Sequence, residues 1–180
     1  MSDNSPAVVP EKSQVMVLPA FRSAPELHLD VAKIRDAETR IIEAKNVSPA
    51  TYADLEHSYN EAYRDLKRHL STIGYQIVFA EKALEEAKAD IILDLYPQYL
   101  IDNNIKKTHD NTDLRKAFIA RDPVYQACLD RVNMLKALES NFDGKIKVFE
   151  NVCRYMRKKM DLIIRSGYSG ANYHVTSGKE

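Results

Sequence analysis

The chain has 180 residues, the length of one domain, and its 26 Lys and Arg balance 26 Asp and Glu. A net charge of zero argues against a uniformly basic nucleic-acid-binding protein and against an acidic tail protein, unless the charges are segregated. Charged residues make up 29% of the chain, which is too polar for a membrane protein. Only Gly74 of the five glycines precedes residue 144, so a turn-rich β or α/β fold is disfavoured and helices are expected.

The first 25 residues hold four of the seven prolines, and this composition predicts a disordered N-terminal arm with no regular element. One apolar segment, residues 15–21, interrupts the arm. It either binds a partner or docks on its own domain, and docking is the interpretation that we favour. The start of the chain lacks the form of a signal peptide, and Cys128 and Cys153 lie in apolar patterns. We therefore expect a cytoplasmic protein with packed thiols.

Two helices are predicted in the first half of the domain. Apolar residues at helical spacing, such as Leu27 and Ile34, predict an amphipathic helix over residues 26–46. Ser48 followed by Pro49 is an N-cap signal for a second helix. Its heptad seam, with one stutter, continues to Pro97, so residues 49–96 predict a helix about 70 Å long.

A connection over residues 98–110 leads to a short helix, residues 113–121, with Asn111 or Thr112 as its N-cap. Asp122 and Pro123 then start a last long helix, which we expect to continue through Gly144 and to end at Ser166. Residues 167–180 predict a flexible tail.

These elements predict an all-α fold: a long antiparallel helical hairpin, coiled-coil-like, over residues 26–166. It includes one additional N-terminal helix and a short helix near the hairpin turn. Two helices cannot cover every apolar side chain off the seam, so a homo-oligomer is expected. The exposed candidates are Ile92, Leu95, Ile101, Val148, Val152, Leu162 and Ile164.

The sequence holds none of the common catalytic or metal-binding motifs. There is no phosphate-binding glycine loop, nucleophile elbow or paired Cys-x-x-Cys motif. Asp54-x-x-His57 is the closest approach to a di-metal carboxylate element, which needs two Glu-x-x-His pairs. We therefore expect no catalytic residues, no metal and no cofactor, and a protein that is not an enzyme.

The charges are segregated along the two long helices. Residues 81–94 carry a net charge of −3, and residues 145–165 carry +5. In an antiparallel hairpin, residue i lies opposite a residue near 220 − i, which brings cations of the second helix close to residues 152–156. Ten residues are the predicted DNA-binding set: Arg64, Lys67, Arg68, Lys145, Lys147, Arg154, Arg157, Lys158, Lys159 and Arg165. Such a cluster fits the phosphates of single-stranded DNA, and Tyr155, Tyr168 and Tyr173 are candidates for stacking on bases. A solvated basic helix end remains the other interpretation.

Residues 112–165 resemble the UvsY family of phage recombination mediators. Both have a short basic helix, an Ala-x-Asp sequence and a long helix that ends in basic residues. The matching positions are Arg115, Lys116, Ala120, Asp122, Tyr125, Leu129, Leu135 and Phe142. One departure concerns Glu85, Glu86 and Asp90, which stand where the family is basic.

The resemblance implies a non-enzymatic recombination mediator encoded by a phage or mobile element and acting in the bacterial host cytoplasm. Such a protein binds single-stranded DNA, assembles into a ring-like homo-oligomer, contacts a single-strand-binding protein and helps to load a recombinase. The alternative is a coiled-coil structural or adaptor protein without a nucleic-acid role, such as a phage assembly factor. Neither function involves a membrane.

Overall fold

The structure is a computed structural model that describes residues 14–106 and 111–171, with side chains to Ser166. Strands β1 and β2 and helices α1 and α2 precede the first long helix, α3, and helices α4 and α5 separate it from the second long helix, α6. Their bounds are β1 Val15–Leu18, β2 Leu27–Asp30, α1 Ala32–Thr39, α2 Ile41–Lys45, α3 Pro49–Asp90, α4 Tyr96–Asp102, α5 Thr112–Arg121 and α6 Pro123–Ala171. A π-helical turn, Ile91–Leu95, joins α3 to α4.

The two long helices form the predicted antiparallel hairpin, and the all-α class is confirmed. Seam residues of α3 and α6 meet in one continuous apolar core that also includes residues of the N-terminal segment. Leu66 and Ile73 of α3, and Leu135 and Phe142 of α6, are at most 2% exposed. Tyr59 and Phe149 pack edge to face across the interface, with ring centroids 5.4 Å apart.

The register of the hairpin differs from the predicted one. Glu81 pairs with Lys136, and Glu56 pairs with Arg157. The predicted rule, 220 − i, places residue 139 opposite Glu81 and residue 164 opposite Glu56. Relative to that prediction, α6 is displaced along α3 by about one to two helical turns. The predicted register is wrong because the segment between the two long helices differs from the predicted connection. Helix α4 continues the first long helix beyond Pro97, where the sequence predicted its end.

The expectation that residues 1–25 hold no regular element is wrong for the part that the structure describes. Strand β1 pairs with β2 in an antiparallel hairpin that sets Val15 opposite Asp30. Phe21, in the turn, packs against a small cluster between α3 and α6, and Arg131 lies 5.9 Å from its ring. The apolar segment 15–21 therefore docks on its own domain, as favoured. Residues 1–13 lie outside the described residues.

The helix predicted for residues 26–46 begins later and is divided in two. Leu27, Leu29 and Val31 are buried, while His28 and Asp30 between them are exposed, which is the period of a strand. Leu27 and Val31 also fit a helical stripe, whereas Leu29 fits only the alternation of a strand. The helix predicted from Leu27 and Val31 therefore starts too early. Helix α1 begins at Ala32, whose N–H donates to the carboxylate of Asp30 at 3.0 Å.

Pro97 does not end the second helix. The N–H of Tyr96 donates to the carbonyl of Ile91, five residues earlier. This wide turn relieves the clash that a proline ring makes with the preceding helical turn. Residues 98–102, predicted to belong to a connection, are therefore helical. Asn104, at φ 50°, follows the end of α4 in the left-handed conformation, which asparagine tolerates.

The sequence signals for α5 and α6 are confirmed. Asn111 caps α5, since its side chain accepts the N–H of Leu114 at 2.8 Å. The carboxylate of Asp122 accepts the N–H groups of Val124 and Tyr125 at 2.8 and 2.9 Å, and so caps α6. Helix α6 continues through Gly144 as predicted, but it extends past the predicted end at Ser166 to Ala171.

Candidate nucleic-acid interface

The ten predicted cations do not form one patch. Arg154, Arg157 and Lys158 line a groove of about 580 Å³ between α3 and α6. Lys145 and Lys159 lie on the side of α6 that contacts α1 and α2, where Lys145 pairs with Glu38 and Lys159 donates to the carbonyl of Lys45. The other five lie on α3 or elsewhere along α6: Arg64, Lys67, Arg68, Lys147 and Arg165.

Five of the ten cations are paired with carboxylates. Four of the pairs are Arg64 with Glu61, Arg68 with Asp65, Lys147 with Asp143 and Arg157 with Glu56, at 2.7 to 3.1 Å. The fifth pair is Lys145 with Glu38. A paired cation offers less attraction to a phosphate, because the phosphate must compete with the carboxylate already present.

The electrostatics of these pairs agree with their geometry. The hydrogen bond from Lys147 lowers the pKa of Asp143, and nearby Lys67 lowers it further. The hydrogen bond to Glu56 raises the pKa of Arg157. Both groups therefore stay charged at neutral pH. Lys67 lies near enough to Asp143 to act on its carboxylate, and it also lies over the ring of Tyr63.

Arg154 and Lys158 are the two groove cations that form no ion pair within the described residues. The guanidinium of Arg154 makes one hydrogen bond, 3.5 Å long, to the side chain of Asn151. Both side chains are exposed and lie four residues apart on α6, so they project from one face of the helix. Together they offer two positive charges to an anion in the groove. Glu150 and Asp161 also line the groove and limit its net positive charge.

Tyr63 is the aromatic residue that could face a base in this groove, and sequence reasoning missed it. It lines the groove, is half-buried, and carries Lys67 over its ring at 5.5 Å. The spacing of Tyr63 and Lys67, four residues apart beside the seam residue Ala62, is a signal that would have found it. Asn60, one turn earlier, adds a polar side chain to the same wall.

The tyrosines predicted to stack do not lie in the groove. The hydroxyl of Tyr155 donates to the carbonyl of Lys45 at 3.3 Å, so this residue belongs to the side of α6 that contacts α2. The side chain of Tyr168 and the whole of Tyr173 lie outside the described residues.

Tyr59 lies at the base of the groove with its hydroxyl buried. The residue is fully buried, its hydroxyl has no hydrogen-bond partner among the described residues, and burial raises its pKa to about 12. The hydroxyl is therefore neutral at physiological pH.

We predict that Tyr59→Phe stabilises the protein by about 1 kcal/mol, because it removes a buried hydroxyl that has no hydrogen-bond partner among the described residues. Urea unfolding followed by circular dichroism measures the change. Tyr63→Phe is the matched control, since its ring is half-exposed and its free energy of unfolding should change by less than about 0.5 kcal/mol. A destabilised Tyr59→Phe variant would show that the hydroxyl has a partner.

The described residues contain no group of three or more His, Cys, Asp or Glu side chains that could hold a metal ion. Asp54, part of the sequence element closest to a metal motif, is ion-paired with Arg40 instead. Cys128 and Cys153 are free thiols, the first buried and the second half-buried. In the described part of the chain, each helix is too short or too polar to cross a membrane.

The acidic stretch of α3 lies at the other end of the hairpin. Glu85 and Glu86 pair with Lys88 and Lys82 at 3.6 and 3.7 Å, and Glu81 pairs with Lys136 of α6 at 2.7 Å. The described structure therefore separates an acidic region near the hairpin turn from the groove near the open end.

Comparison with protein-family models, with curated proteins and with solved structures gives no match for this chain. The resemblance of residues 112–165 to the UvsY family thus stays a prediction from the sequence.

Proposed function

We propose that this protein is a non-enzymatic recombination mediator that binds single-stranded DNA in the groove between α3 and α6. The observation that carries the proposal is the joint presence there of two cations without ion pairs, Arg154 and Lys158, and of the ring of Tyr63. Proteins that bind single strands combine these two elements: cations that follow the phosphates and aromatic rings that stack on bases.

The groove favours an unpaired strand over a duplex. Its walls are the side chains of two packed helices, and its base includes Tyr59, Phe149 and Cys153. A base of a single strand is free to turn toward Tyr63, whereas a base in a duplex is held by its pair and its neighbours. Binding without sequence preference is expected, since every base has a face that stacks.

Self-assembly and the loading of a recombinase come to the proposal from the family resemblance. In such a role the protein holds the strand and the recombinase performs the strand exchange, so this chain needs no catalytic residues. Contacts with the recombinase and with a single-strand-binding protein would then involve surfaces outside the groove.

We predict that the full chain binds a labelled dT20 oligonucleotide and that binding weakens steeply with salt. If Arg154, Lys158 and Lys67 each neutralise one phosphate, log K falls with log [salt] with a slope of about −2. Raising the salt from 50 to 200 mM then weakens binding about 16-fold, as measured by fluorescence anisotropy.

The matched comparison is a blunt-ended duplex of the same length, which should bind more weakly at every salt concentration. A folded protein that shows no anisotropy change at 50 mM salt would refute DNA binding. That outcome would support the alternative, a coiled-coil structural or adaptor protein.

A further inference from the structure

Helix α6 carries an apolar stripe that does not pack against α3. Its five members are spaced seven residues apart: Met134, Asn141, Val148, Tyr155 and Leu162. The four apolar members are 42% to 66% exposed, and Asn141 is exposed as well. In a two-helix coiled coil, heptad positions away from the seam face water and are normally polar. This stripe therefore marks a surface for a further helix.

One flank of the stripe is already covered by α2. The hydroxyl of Tyr155 and the amine of Lys159 both donate to the carbonyl of Lys45, at 3.3 and 2.7 Å. Between α2 and α6 lies a largely apolar groove of about 470 Å³ whose walls include Ile41, Val148 and Val152. The other flank of the stripe is open, so a helix laid along it would contact Val148, Tyr155 and Leu162 beside α2.

We propose that the occupant of this stripe is α6 of a second copy of the chain, running antiparallel and centred on Val148. The stripe is self-complementary in this arrangement, because Met134 comes opposite Leu162 of the second copy and Val148 comes opposite itself. Asn141 comes opposite Tyr155 of the second copy, where its amide meets a side chain with a polar end. A twofold interface of this kind uses one surface twice.

The charges beside the open flank select the antiparallel direction. The neighbouring row of α6 lies three residues after, or four residues before, the members of the stripe. Its members are Asp130, Ala137, Gly144, Asn151, Lys158 and Arg165, again seven residues apart. Antiparallel pairing sets Asp130 opposite Arg165 of the second copy, and the twofold axis makes two such ion pairs. Parallel pairing would set Arg165 opposite Arg165 and Lys158 opposite Lys158, which is repulsive.

Gly144 supports a close approach at the centre of the interface. A glycine inside a helix destabilises it relative to alanine. A Cβ at this position would meet no atom within 4 Å, so packing within the described chain does not require glycine. In the antiparallel arrangement Gly144 lies opposite Asn151 of the second copy, where the missing side chain lets the two helices approach.

The expected contact is small. From Met134 to Leu162 the helix is about 42 Å long, and a helix with its side chains is about 10 Å wide. The interface then covers about 400 Å² on each copy, at the low end for specific association, so a micromolar dimer is expected. The groove lined by Tyr59 and Tyr63 lies against α3, and it shares only Lys158 with the row of α6 beside this stripe. The substitutions that test the dimer therefore leave Lys158 and the rest of the groove unchanged.

Sedimentation equilibrium of the full chain from 5 to 200 µM tests the proposal. We expect a monomer–dimer equilibrium that Val148→Glu weakens at least about 100-fold, because two carboxylates then meet at the twofold axis. Val78→Glu is the matched control, since Val78 is 63% exposed on α3 and its substitution should change the Kd by less than about twofold. A monomer at 200 µM, or a dimer that Val148→Glu leaves unchanged, would overturn the proposal.

A charge exchange tests the antiparallel register and does not depend on the folding of Val148→Glu. Asp130→Arg and Arg165→Asp should each weaken the dimer about fivefold, and the double variant should restore it to within about twofold. Gly144→Ala should raise the melting temperature of the dilute monomer by about 2–4 °C and weaken the dimer. A double variant weaker than both single variants, or a Gly144→Ala dimer as tight as the parent, would contradict this register.

Discussion

Replacing Arg154 and Lys158 by glutamine should weaken the binding of dT20 about 60-fold at 50 mM salt. Each cation that neutralises a phosphate of a single strand contributes about 0.7 to the salt slope, which corresponds to about eightfold in affinity at this salt concentration. The slope should therefore change from about −2 to about −0.7. The variant should keep its helical content, because both side chains are exposed and form no ion pair within the described residues.

Lys82→Gln with Lys88→Gln is the matched control for this double variant. It likewise removes two positive charges, but from α3 at the acidic end of the hairpin, where both lysines pair with glutamates. Its affinity for dT20 should stay within about twofold of the parent. Equal weakening in the two double variants would mean that net charge alone determines binding, and the groove would no longer be the binding site.

The sequence predicted the hairpin because its signals are local and strong. Asp122 and Pro123 start α6 through a cap that needs only neighbouring residues, and the heptad seam needs only a partner helix. Two local signals led to wrong predictions. Pro97 is accommodated by a π-helical turn, and the buried Leu29 belongs to a strand whose partner, β1, lies in a proline-rich segment. The π-helical turn and the strand pairing both depend on contacts that cannot be recognised from the residue pattern of a single element.

The site was only partly predictable, because its charges depend on the register of two helices. An error of one to two turns moved Arg64, Lys67 and Arg68 away from the end of α6. The carboxylates that pair with the cations come from α1, α3 and α6, and they include Glu38 and Glu56. A sequence shows how many cations are present, whereas a structure shows which of them have no ion-pair partner. The net charge of zero is therefore compatible with a local anion site at Arg154 and Lys158.

Phe142→Ala should cost about 3–5 kcal/mol in the free energy of unfolding, the largest loss of stability that we predict for a single substitution. The ring is 2% exposed, belongs to the continuous core between α3 and α6, and lies 6.1 Å from the ring of His69. Removing it leaves a cavity that the two long helices cannot close without losing their neighbouring seam contacts. The melting temperature should fall by about 10–15 °C, as measured by circular dichroism.

Tyr75→Ala removes a ring of similar size from the outer face of α3 and serves as the control for Phe142→Ala. Tyr75 is 66% exposed and packs edge to face against Phe79 at 5.0 Å, so its loss should cost no more than about 1 kcal/mol. The two aromatic truncations therefore separate a seam position from a surface position on the same hairpin. If Phe142→Ala costs no more than Tyr75→Ala, the α3–α6 seam is not the core of the fold. The groove beside Tyr63, which exists only because these two helices pack, would then lose its structural basis.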